Sequence, residues 1–140
     1  MKSLKDHILS YDNYKKVFVI IKPGSLQYTP NVIQKMEEYG WMMDKSRVKL
    51  LTLKEAKRLY LVHKEEEFYD DLCKYMSSDL SRAIIFKKFQ KPDGSEFDEV
   101  AKIKDEIRNE YGESDMRNVM HSSDSREAMF NEAPIYFNII

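Results

Sequence analysis

The sequence has a single cysteine, Cys73, so no intrachain disulfide can form and a reducing compartment fits. It has no excess of one charge: 23 Lys and Arg stand against 24 Asp and Glu, a formal net charge of -1. That removes the global field a nucleic-acid or membrane-surface binder would use and leaves only local patches. It has no long apolar run. The longest, Val17-Phe18-Val19-Ile20-Ile21, is far too short to cross a bilayer. The start, Met1-Lys2-Ser3-Leu4-Lys5-Asp6-His7, lacks the apolar region of a secretory signal. There is no internal repeat, low-complexity tract or long linker. What is present, 42% hydrophobic and 34% charged residues over 140 positions, suits one globular domain with a real core. The expectation is a cytoplasmic protein with a polar leader over residues 1–13 and one domain over 14–140.

The apolar patterning predicts alternating strands and helices. Residues 17–21 form a continuous β-branched run typical of a central strand, ended by the turn chemistry of Lys22-Pro23-Gly24-Ser25. Thr29 followed by Pro30 reads as an N-cap and first turn, with Val32, Ile33, Met36 and Tyr39 on one face and Gly40 as the stop. Residues 42–50 read as a half-buried strand with Val48 and Leu50 inward and Lys45, Arg47 and Lys49 outward. Thr52 with Glu55 is a capping-box pattern, opening a helix with Leu53, Ala56, Leu59 and Tyr60 inward. Another helix runs from about residue 67 to 76, with Glu65-Glu66-Glu67 as its solvated acidic first turn. Residues 83–86 form a further strand. A helix follows, with Ser95 as its candidate cap, Phe97, Val100, Ile103 and Ile107 on its core side, and Gly112 as its end. Val119-Met120 reads as a short last strand, and a final helix begins near residues 123–125 and ends or bends at Pro134. The order β-α-β-α-α-β-α-β-α implies an α+β sandwich with helices packed on a small sheet.

Histidine is scarce: His7, His63 and His121. His7 and His63 have no ligand partners at metal spacing and read as surface residues. His121 follows a short apolar run and precedes a helix start, in Asn118-Val119-Met120-His121-Ser122-Ser123-Asp124-Ser125. Neutral imidazole is nucleophilic near pH 7 and can carry a phosphoryl group.

That segment resembles the active-site segment of nucleoside diphosphate kinases: asparagine, two aliphatic residues, histidine, glycine, then Ser-Asp-Ser. Other landmarks fall in the same order. Val19-Ile20-Ile21-Lys22-Pro23 is similar to the family's first strand ending in Lys-Pro. Tyr60, Phe68-Tyr69 and Leu72-Cys73-Lys74-Tyr75-Met76 are similar to its nucleotide-clamp helices. Ile107-Arg108, Glu132 and Phe137 also fall in register. The resemblance spans residues 16–137.

It implies the family's ferredoxin-like fold, a four-stranded antiparallel sheet covered by helices. It also implies transfer of the terminal phosphate from ATP to nucleoside diphosphates through phospho-His121. Glu132 would orient the His121 ring, and Ser123 would hydrogen-bond near the ring or cap the last helix. Lys22 would reach the ribose and phosphates, and Asn118 the ribose 3′-hydroxyl. Tyr60 and Arg108 would contact the transferred group or its neighbours, because phosphoryl transfer needs positioning and charge neutralisation. Phe68 would stack on the base with Leu72 beside it, although both equally fit an ordinary amphipathic core face. Mg²⁺ would come with the nucleotide, with no dedicated protein cage.

The chain also departs from the family pattern. Aspartate is missing after Lys22-Pro23, Ser122 replaces the glycine after the histidine, and the segment between Phe89 and Arg108 is short. The family carries a phosphate-binding arginine and a threonine-bearing loop there, and the loop packs between subunits. Lys91, Lys102 or Lys104 are the candidates to substitute. A homo-oligomer is expected, a dimer rather than a hexamer. The alternative is a catalytically weakened nucleotide-binding or regulatory module of the same fold.

Overall fold

The computed structural model describes residues 13–137. Apart from Asn13, the expected leader lies outside them, as does His7. The observed strands are β1 (Lys15–Ile21), β2 (Met42–Lys49), β3 (Ser81–Lys88) and β4 (Met120–Ser122). The helices are α1 (Thr29–Glu38), α2 (Leu53–Leu59), α3 (Tyr69–Met76), α4 (Ser95–Tyr111) and α5 (Arg126–Glu132), with short 3-10 turns at Leu26–Tyr28, Leu61–His63 and Ala133–Ile135. The element order read from the pattern is the one observed.

The strands form one four-stranded antiparallel sheet in the order β2-β3-β1-β4, an α+β ferredoxin-like sandwich. β1 is central because every residue in it is buried, with Val17, Phe18, Val19, Ile20 and Ile21 fully so. A strand apolar on both faces must be covered on both. The helices fall into two groups, α1 packing on α4, and α2 contacting α3 and α5.

Local chemistry sets several element ends. The Thr52–Glu55 capping box is complete: Glu55 N donates to Thr52 Oγ1 at 3.1 Å and Thr52 N to Glu55 Oε1 at 3.0 Å. Gly40, at φ +90°, ends α1 in a backbone conformation that side chains disfavour. Ser125 caps α5 by accepting from Ala128 N, and Pro134 turns its end into 3-10 helix.

Several expectations change. Val48 and Leu50 are exposed, because β2 is an edge strand and Arg47 and Lys49 point to the packed C-terminal segment instead. Their head groups donate to the carbonyls of Tyr136 and Ile135. The register slips between Met43 and Lys45, which breaks simple alternation along β2. Leu53 is exposed at the start of α2. Residues 65–67 lie in turns, and the acidic first turn of α3 is Asp70 and Asp71. Thr29 lies inside α1, its hydroxyl donating to Leu26 O. Ser95 is not the cap of α4. Gly94 holds that position at φ +91°, and Asp93 Oδ1 accepts from both Ser95 N and Ser95 Oγ.

Candidate active site

A cavity of about 530 Å³ opens at the β4 edge of the sheet. Lys22, Tyr60, Phe68, Leu72, Arg108, Asn118 and His121 all line it. These are the residues selected from the sequence, drawn from separate elements to one wall. Glu132 and Ser123 stand behind His121.

β4 fixes the histidine. It pairs antiparallel to β1, with His121 opposite Ile20, and Ser123 N continues the ladder to Phe18 O at 3.1 Å. Rigid strand backbone therefore sets where the ring begins. His121 Nε2 lies 2.5 Å from Glu132 Oε1, and Ser123 Oγ donates to the same oxygen at 3.0 Å. An ionised carboxylate only accepts, so this contact places the proton of a neutral ring on Nε2. Nδ1 then carries the lone pair. Ser123 thus bonds to the orienting carboxylate, while the capping role falls to Ser125.

The residue before β4 is strained. Val119 is buried at φ +79°, a left-handed conformation that a β-branched side chain strongly disfavours. Lys22 N donates to Val119 O at 2.8 Å and helps hold it there. Lys22 follows β1 directly and is 4% exposed. Its ammonium donates to Asn118 Oδ1 at 2.7 Å and to Met116 O at 3.3 Å. Burial, with Arg108 and Lys104 nearby, lowers its pKa to about 7.

Arg108 extends from α4 and donates through Nε and Nη2 to Met120 O, at 3.2 and 2.8 Å. It braces the backbone beside His121. The Tyr60 ring meets His121 edge-on at 5.4 Å, and its buried hydroxyl has no hydrogen-bond partner. Burial raises the Tyr60 pKa, so it stays a neutral phenol. Phe68 is 45% exposed at the mouth, which separates it from the core face it also fitted.

The sequence left other wall residues unassigned. His63 lines the cavity rather than standing free on the surface, its ring 5.4 Å from Phe68. Asp115, Met116, Ser122 and Asp124 complete the wall, and of the candidate lysines only Lys104 reaches it. Spacing along α4 was the available signal for Lys104, since it lies one turn before Arg108. Among the described residues no group of three or more His, Cys, Asp or Glu is arranged to hold a metal ion.

The family model of nucleoside diphosphate kinase matches residues 15–139. The nucleoside diphosphate kinase of Geotalea uraniireducens is 31% identical over 132 residues, covering 89% of this chain and 96% of that protein. A solved halophilic nucleoside diphosphate kinase from Halobacterium salinarum, in complex with CDP, superposes with a TM-score of 0.75 at 21% identity, covering 89% and 88% of the two chains. The Aquifex aeolicus nucleoside diphosphate kinase does so with a TM-score of 0.73 at 22% identity, covering 89% and 96%. A site built around an oriented histidine, on this sheet and with these relatives, means that the chain belongs to the nucleoside diphosphate kinase family of phosphotransferases.

Proposed function

We propose that the chain moves the terminal phosphate of a nucleoside triphosphate, ATP, to nucleoside diphosphates through a phosphohistidine at His121. The His121–Glu132 contact carries this reading, because it occupies Nε2 and leaves Nδ1 as the nucleophile on the cavity wall. In the first step the Nδ1 lone pair bonds to the terminal phosphorus. The bond from that phosphorus to its bridging oxygen breaks, and the nucleoside diphosphate leaves with the electron pair. The Nε2 proton stays on the ring, held by Glu132, which also offsets the ring's positive charge. A second diphosphate reverses the step, giving ping-pong kinetics.

The surrounding groups support it. Lys22 and Arg108 oppose phosphate charge, and Arg108 suits phosphate through its planar fork. The unpartnered Tyr60 hydroxyl gains a partner when phosphate enters. Asn118, held by Lys22, would reach the ribose 3′-hydroxyl. Phe68 beside Leu72 offers a stacking face that every base can use. The cationic wall fits Mg²⁺ carried in on the nucleotide phosphates, where it would neutralise part of their charge, more than a protein-bound ion. No helix among the described residues is long and apolar enough to cross a membrane, and a cytoplasmic enzyme is the fitting setting. The exposed Met42 and Met43 on edge strand β2, with Leu50 just after its end, support a homo-oligomer, a dimer on our reading.

One observation favours a second reading, a nucleotide-binding module with weakened turnover. α4 occupies residues 95–111, and no arginine or threonine stands between Phe89 and Arg108. One experiment separates the readings. The protein is incubated with γ-labelled ATP and Mg²⁺, and GDP is then added. Phosphotransfer predicts an acid-labile, alkali-stable phosphoprotein that GDP discharges and that His121→Ala never forms. Nucleotide binding without label on the wild type would leave the module.

A further inference from the structure

Lys104 stands on α4 four residues before Arg108, so both side chains leave the same face of the helix. α4 packs against β4, and both side chains line the cavity beside His121. Lys104 is half-buried, and among the described residues its ammonium has neither a salt bridge nor a hydrogen bond. Of the other buried or half-buried lysines, Lys45 alone shares this state among the described residues, and it lies on β2, away from the cavity. Lys15 pairs with Asp93, Lys16 and Lys87 with Asp44, Lys49 with Glu55, and Lys88 with Glu99. Partial burial of a charge without an opposite partner is costly unless a ligand supplies one. Burial and the Arg108 guanidinium lower the Lys104 pKa, against weaker opposition from Asp124, Asp105 and Glu132. Lys104 in turn acts on Lys22 across the cavity. Its alternatives lie elsewhere: Lys102 sits over the Tyr39 ring at 5.6 Å, and Lys91 is exposed before α4.

We propose that Lys104 is a phosphate ligand of this site, its ammonium binding the phosphate chain of the nucleotide beside Arg108. The inference rests on the nucleotide reading above. It assigns to the helix in this chain a positive charge delivered as a point, through rotatable donors, rather than through a fixed fork. The unpaired state of Lys104 in the free protein is then the state in which it waits for an anion.

The test is the affinity for ADP with Mg²⁺, by calorimetric titration, of the wild type, Lys104→Gln, Lys104→Met, Lys104→Arg and Lys91→Gln. Removing a charge-assisted hydrogen bond predicts a loss of about 10- to 100-fold in both neutral variants. Lys104→Arg keeps the cation and should stay within a few-fold of the wild type. Lys91→Gln should match the wild type, and melting temperatures should not fall. Wild-type affinity in Lys104→Gln and Lys104→Met overturns the proposal. So does an equal loss in Lys104→Arg, which would make Lys104 a packing residue, or in Lys91→Gln, which would make the effect one of net charge. A wild type that labels on His121 while Lys104→Gln binds normally sinks only the Lys104 assignment. A wild type that never labels, with the predicted loss in Lys104→Gln, sinks only phosphotransfer.

Discussion

Lys22 Nζ donates to Asn118 Oδ1 at 2.7 Å, tying the end of β1 to the loop before β4 across 96 residues of chain. The bond joins two groups that sequence resemblance treats as separate nucleotide contacts. It also gives the lysine a neutral partner where most buried cations take a carboxylate. Burial therefore prevails, and the ammonium loses its proton near pH 7.

That lowered pKa makes nucleotide binding proton-linked. Phosphate beside Lys22 favours the charged form, so binding should take up protons above about pH 7. Titrations with ADP at pH 8 in buffers of different ionisation enthalpy should show proton uptake. Uptake that Lys22→Met leaves unchanged would mean that another group titrates.

The same shift predicts a stability trend. The folded pKa of about 7 lies below the ordinary value of 10.5, so between these the unfolded chain binds more protons. The Lys22 contribution to stability therefore rises as pH rises through this window, and its cost is fully present below it. Lys22→Met should be stabilised relative to the wild type at pH 6, and the difference should shrink towards pH 10. Urea unfolding at both pH values measures this, and a difference that grows with pH contradicts it.

Glu132 meets His121 at Nε2, the ring nitrogen opposite the Nδ1 that we propose as nucleophile. Glu132→Ala frees the tautomer and should slow phosphohistidine formation by about 10²–10⁴-fold. Glu132→Gln keeps a hydrogen bond and should fall between the two. Rapid-quench labelling reports the rates, and ³¹P–¹⁵N correlation should place phosphorus on Nδ1. Phosphorus on Nε2 would overturn the orientation.

Val119 sets burial against backbone strain. Val119→Ala loses apolar contact and keeps the φ +79° conformation, whereas Val119→Gly loses contact and relieves the strain. Glycine should therefore be the less harmful change, by about 1 kcal/mol, reversing the usual order of alanine and glycine. Equilibrium unfolding of the pair decides this.

Gly112 is constrained by space. Its φ of -71° suits any residue, yet an added Cβ would lie 2.5 Å from Arg108 O and 3.4 Å from Asn118 Cα. Gly112→Ala should cost about 1–3 kcal/mol, as overpacking does. It should also weaken ADP binding, because both displaced residues line the cavity. A variant as stable as the wild type and equally tight for ADP would show that the α4 end yields freely.

The order of strands and helices was legible in the sequence, because period and capping are local. The continuous apolar run at 17–21, the Thr52–Glu55 box and Pro134 each act within a turn or two of chain. The segment around His121 was equally legible, since its residues are contiguous. Tertiary structure alone decided three matters. It placed β2 at an edge, which left Val48 and Leu50 exposed. It chose Lys104 over Lys91 and Lys102, because only the roll of α4 against β4 determines which lysine faces the cavity. It set Glu132 against Nε2 of His121 rather than Nδ1. Each depends on packing between separate elements, where side-chain direction follows from strand order and helix roll, not from the type of residue.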